Sequence, residues 1–99
     1  MIKVTATGTQ EFEMINAKLD KLPFLIREQI ESAEKAPTHD GIICKLKSSK
    51  INDQNICLPK SGVQQILESD RIITIIIDNY AFIFKIQRFE QNISFMFNQ

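Results

Sequence analysis

A chain of 99 residues has length enough for one hydrophobic core and not for two, so residues 1–99 are read as a single domain. Its apolar fraction of 43% and charged fraction of 24% are those of an ordinary globular protein and exclude a disordered or multi-span membrane chain. Twelve basic residues balance twelve acidic ones, so no net field draws the chain to nucleic acid or to an anionic membrane. Charge is uneven locally. Residues 11–34 hold six acids against three bases, whereas residues 35–60 hold five lysines against Asp40 and Asp53.

The opening "MIKVTATGTQ" has one lysine and no apolar segment, which reads as no signal peptide. No apolar run approaches the roughly 20 residues of a membrane span. Two cysteines without a secretory signal point to the cytoplasm and to free thiols.

In "IKVTAT", Ile2, Val4 and Ala6 alternate with Lys3, Thr5 and Thr7, the period of a half-buried strand. Thr9 then stands where a helix cap belongs. Phe12, Ile15, Leu19 and Leu22 recur at three- and four-residue steps and predict a helix with that stripe inward. Pro23 ends it or starts the next. Ile26, Ile30 and Ala33 predict a second helix, stopped by "APTHDG". From Ile42 the period returns to two, with Ile42, Cys44 and Leu46 on one side and Ile43, Lys45 and Lys47 on the other. The polar "NDQN" between Ile51 and Ile56 predicts a hairpin ending at Leu58. Ser61 with Gln64 matches a capping box, and Val63, Ile66 and Leu67 predict a short third helix. Three strands are expected to finish the chain, at about 71–77, 80–88 and 93–98. No repeat or linker stands out.

The register of those last strands can be derived. A two-residue turn at Asp78-Asn79, both tolerant of positive φ, pairs Ile77 with Tyr80, Ile75 with Phe82 and Ile73 with Phe84. A four-residue turn "FEQN" pairs Arg88 with Ile93, Ile86 with Phe95 and Phe84 with Phe97. All of these side chains fall on one face, the expected core, because burying each is worth roughly 1.5–3 kcal/mol. The fold class expected is therefore α+β, an antiparallel β-sheet with helices packed on one face, in the order β-α-α-β-β-α-β-β-β. The other face carries Ile72, Thr74, Ile76, Ala81, Ile83, Lys85, Gln87, Ser94 and Met96. It is half apolar, and the helical stripes are single-sided, so it is expected to be partly open. Ile72, Ile76, Ile83 and Met96 then form a partner-binding patch rimmed by Lys85, Gln87 and Ser94.

Catalytic chemistry is hard to assemble from this chain. His39 is the lone histidine, five residues before Cys44, but Cys44 lies on the apolar side of its strand, where cysteine behaves as a small hydrophobe. One histidine and two cysteines with twelve residues between them match no zinc spacing. Gly8, Gly41 and Gly62 are isolated, so no phosphate-cradling loop is present. The "KSG" before the third expected helix suits a cap better than an anion site. Lys45, Lys47 and Lys50 lack the interleaved aromatics that stack single-stranded bases. No enzyme, cofactor, metal or nucleic-acid partner is expected.

The order "KVTATG", "LDKLPFLIREQI", "APTHDGIICKLKSS" resembles the opening of phage tail-completion proteins: strand, glycine, helix with a Leu-Pro step, then Ala-Pro and Gly. The resemblance spans about half the chain and implies a structural assembly subunit. The residues themselves favour a small non-catalytic inhibitor that binds another protein, a toxin or host effector, as a toxin-neutralising immunity protein or phage-encoded inhibitor does. The alternative is the assembly subunit, its partner a second copy of itself.

Overall fold

The computed structural model describes residues 2–37, 40–47, 54–59, 62–69, 72–85 and 93–98. Helices α1 (Thr9–Leu19) and α2 (Phe24–Gln29) follow strand β1 (Lys3–Thr5) and precede seven further strands. These are β2 (Ile30–Lys35), β3 (Gly41–Leu46), β4 (Gln54–Pro59), β5 (Val63–Ser69), β6 (Ile72–Ile77), β7 (Tyr80–Lys85) and β8 (Ile93–Asn98). A six-stranded sheet runs β1-β2-β3-β7-β6-β5, and β4 pairs with β8 in a separate two-stranded sheet. The domain is thus a mixed α/β unit rather than a purely antiparallel one, because β1–β2, β3–β7 and β4–β8 are parallel pairs.

The hairpin register derived above is the one observed. Ile73 pairs with Phe84, Ile75 with Phe82 and Ile77 with Tyr80, around a turn with φ of 51° at Asp78 and 64° at Asn79. The inner face joins Ile42, Cys44, Leu46, Ile73, Ile75, Ile77, Phe82 and Phe84 to Ile15, Leu19, Leu22 and Ile26 of the helical side. Tyr80 closes one end: its hydroxyl lies 3.4 Å from the Gly41 carbonyl and 3.3 Å from Met14 Sδ, with Lys18 Nζ 4.7 Å from the ring centroid.

One expected helix is a strand and another gives way to a strand halfway along, for one physical reason. The second helix stops at Gln29, and β2 pairs with β3 as Ile30↔Leu46 and then Ser32↔Lys45, so Glu31 is an extra residue. That bulge puts Ile30 and Ala33, three apart, both into the core. The third expected helix is β5, which pairs with β6 as Val63↔Ile77 and then Gln65↔Ile76. Gln64 is the extra residue there, and Val63 and Ile66 pack against the core together while Leu67 is exposed. A bulged strand thus reproduces the three-residue step of a helix. Gln64 does not serve a capping box; its Oε1 accepts the Asn79 backbone N–H at 2.9 Å, and Ser61 lies outside the described residues.

The two remaining hairpins are also replaced. β3 does not turn back onto β4, and β7 does not turn back onto β8. Phe84 lies between Ile73 and Cys44, not against Phe97, and Lys85 lies beside Lys45, not against Met96. The "FEQN" turn, with Ile86 and Arg88, lies outside the described residues. At α1, Gly8 occupies the cap position without a side-chain bond, and Glu11 Oε2 accepts the Thr7 N–H at 2.7 Å in place of a Thr9 cap. Phe12, expected inside, is 47% exposed, while Ile15 and Leu19 carry the buried stripe.

Phe84 is fully buried at the sheet centre, so Phe84→Ala should cost about 3–5 kcal/mol in urea melts. A loss below about 1 kcal/mol would contradict the central placement. Gly62 has φ +89°, and a Cβ there would lie 3.2 Å from Asp78 Oδ1, beside the turn it braces through Asp78 N–H to Gly62 C=O. Gly62→Ala should cost about 1–3 kcal/mol in the same melts.

Candidate functional site: the outer face of the sheet

The alternation that buries one side of each strand fixes what the other side presents. On the outer face a continuous row crosses all six strands: Thr5, Glu34, Ile43, Ile83, Thr74, Leu67. One step along, Gly41, Ala81, Ile76 and Gln65 form a second row. On the other side Lys3, Ser32, Lys45, Lys85 and Ile72 form a third. The middle of this face is aliphatic and one margin is basic.

Exposure follows position. Leu67 on the edge strand is 50% exposed and Ile72 39%, while Ile43, Ile76 and Ile83 are half-buried by their neighbours. The structure brings Ile72, Ile76, Ile83 and Lys85 onto one face and adds Ile43, Leu67, Lys3 and Lys45 to it. Gln87 lies outside the described residues, as do the side chains of Ser94 and Met96. β8 pairs with β4, so Ser94 and Met96 are not on a strand of this sheet. Ile43 and Lys45 were missed as members because β3 was read as a partner of β4. A signal existed: "IICKL" and "FIFKI", forty residues apart, share Ile and Lys at matching positions. Parallel pairing then sets Ile43 beside Ile83 and Lys45 beside Lys85.

On the helical side, a cavity of about 400 Å³ is lined by Ile2, Leu19, Phe24 and Ile30 with Asn16, Asp20, Arg27, Glu28 and Lys47 around them. Arg27 spends its charge locally, with its Nη1 3.3 Å from Asp20 and its guanidinium 5.7 Å from the Phe24 ring centroid. Cys44 is not among the described residues that line the cavity, and His39 lies outside the described residues. Cys44 is fully buried, and burial pushes its thiol up to about 12, the opposite of what a nucleophile at neutral pH needs. Burial, then the charges of Asp40 and Glu11, also raise the Tyr80 hydroxyl. Among the described residues no group of His, Cys, Asp and Glu is placed to hold a metal ion, and no helix is long and apolar enough to cross a membrane.

No protein-family model, curated protein or solved structure matches this chain.

The native Cys44 thiol should resist alkylation at pH 8 and react once urea unfolds the chain. Because its folded value stands above the unfolded value of 9.0, protonated Cys44 supports folding fully below pH 9. That support is lost as pH rises from 9 toward 12. Cys44→Ala should flatten this part of the alkaline decline in stability, leaving the part due to Tyr80; an unchanged decline would contradict the assignment.

Proposed function

We propose that this domain acts by docking on another protein and blocking it, without turning over a substrate. The reading rests on the outer face: aliphatic side chains run across the centre of a six-stranded sheet, with charged side chains at the margin. The aliphatic row Ile43, Ile83, Leu67 has the chemistry of a protein contact. It holds no aromatic side chain on which a base could stack, which supports protein over single-stranded nucleic acid as partner. A small inhibitor of a toxin or host effector, including an immunity-type protein, needs only such a face. We place the domain in the cytoplasm, where a buried free thiol such as Cys44 stays reduced.

One observation favours a second reading, an assembly subunit of the tail-completion kind. Among the described residues β1 and β5 each pair on one side only, leaving both sheet edges available to further strands. An inhibitor would stay monomeric and hold one foreign chain; an assembly subunit would associate with itself.

Ile76→Lys and Ile83→Glu, made singly, test the face. Both positions are half-buried on the outer side, so each variant should keep its far-ultraviolet circular dichroism and a cooperative melt. Each should weaken binding to a partner co-purified from the native host by at least about tenfold, the loss of about 1.4 kcal/mol. Unfolding of both variants would make the face ordinary core and end the docking reading.

A further inference from the structure

We propose that the occupant of the outer face is the helical side of a second copy of this chain, stacked head to tail. This rests on the second, self-associating reading above, keeps the same outer face as the docking surface, and takes a second copy in place of a foreign partner. The large apolar side chains left exposed fall in two places. Leu67 and Ile72 stand on the outer face of the sheet, whereas Phe12, Phe24 and Leu25 project from α1 and α2, with Phe24 62% exposed.

The two surfaces differ in sign. Lys3, Lys45 and Lys85 share one row of the outer face and outnumber Glu34 in the next, and none of the three makes an ion pair within 4.0 Å among the described residues. Lys45 and Lys85 are direct neighbours across the β3–β7 pair, and like charges so placed are unfavourable until an anion joins them. On the helices the charges run the other way. Arg27 is held by Asp20, Lys21 by Asp78, and Lys18 lies over the Tyr80 ring. Their positive charge is taken up within the domain, which leaves the exposed carboxylates of Glu13 and Glu28 beside Phe12, Phe24 and Leu25.

Each surface therefore supplies what the other lacks. A two-fold contact through the outer face with its axis along the strands would oppose lysine to lysine, and one with its axis along the rows would leave the lysines facing Gly41, Ala81 and Ile76, so the contact that gives them carboxylates is the heterologous one. In it, the neighbour's helices lie on the side of the sheet opposite its own helices, making across two chains a three-layer arrangement. A foreign acidic partner would satisfy the outer face but leave the helical patch unexplained. A second copy accounts for both.

Sedimentation of the purified chain tests this. Species heavier than one 11.4 kDa chain should form at about 0.01 M ionic strength. Raising it to about 1 M, where the Debye length falls to about 3 Å, should weaken association at least about tenfold. The pair Lys45→Glu with Lys85→Glu should weaken it at low salt by a similar factor, as should Glu13→Lys with Glu28→Lys. Mixing the two doubly substituted proteins should restore it, because each then meets an opposite charge. Zero-length carbodiimide coupling of the unsubstituted protein should join Lys45 or Lys85 to Glu13 or Glu28 of a neighbouring chain. A chain that stays monomeric at low salt, or a mixture that fails to re-associate while both variants melt as folded proteins, overturns the stacking. Binding of a different protein that is lost in Ile83→Glu, with the chain itself monomeric, overturns only the choice of partner and leaves the docking face standing.

Discussion

The parallel pairing of β3 with β7 is the constraint from which the rest of the sheet follows. It joins two antiparallel hairpins, β2–β3 and β6–β7, through their second strands, and its register sets Cys44 beside Phe84 and Ile42 beside Phe82 on the inner face. A shift of one residue along β7 would turn both Phe82 and Phe84, each fully buried, outward and bring Ile83 and Lys85 of the outer face inward. Burying a phenylalanine is worth about 1.5–3 kcal/mol, so the pair of rings alone fixes the register against slippage. β4 and β8, which follow β3 and β7 after seven residues each, also pair in parallel, with a register one residue different. The chain therefore repeats a three-strand unit that its sequence announces only in "IICKL" and "FIFKI".

The parts legible in the sequence were those governed by local rules. Asp78-Asn79 dictates a tight turn because both residues accept positive φ, and the turn then fixes every pair of β6–β7. The two bulged strands were misread because Glu31 and Gln64 each insert a residue that turns a period of two into a step of three. In "REQIESAEK" that step coincides with residues that favour helices, so pattern and propensity agreed on the wrong element. Tertiary pairing with β3 decided otherwise. The "FEQN" hairpin failed for a different reason: a turn signal shows that a chain can reverse, not that it pairs with the strand it left. Parallel pairing over forty residues has no local sign, since its cost and its gain lie in loop closure and packing between distant segments.

The candidate site was half legible for the same reason. Ile72, Ile76, Ile83 and Lys85 belong to the hairpin whose register was derivable, and they do share a face. Ile43 and Lys45 come from β3, whose neighbour was not derivable, and they add a fourth isoleucine and a second lysine to that face. Phe12 shows the converse error. It fits the period of α1, yet the sheet lies against Ile15 and Leu19, and nothing in the spacing marks which end of the stripe overhangs the sheet.

Why the outer face keeps its isoleucines follows from the same pairing. At the centre of a six-stranded sheet, Ile43 and Ile83 are flanked on both sides and already half-buried, and β-branched side chains suit a pleated surface. Polar replacements there would lose little exposed area but much cross-strand packing. Lys45 and Lys85 lie two residues further along the same strands, in the row near the strand ends, and there both side chains are exposed. Charge at the rim keeps neighbouring sheets from sticking at random while leaving a partner of opposite sign able to approach. The pairing that orders the core thus also sorts the outer face into an aliphatic centre and a row of lysines at one end.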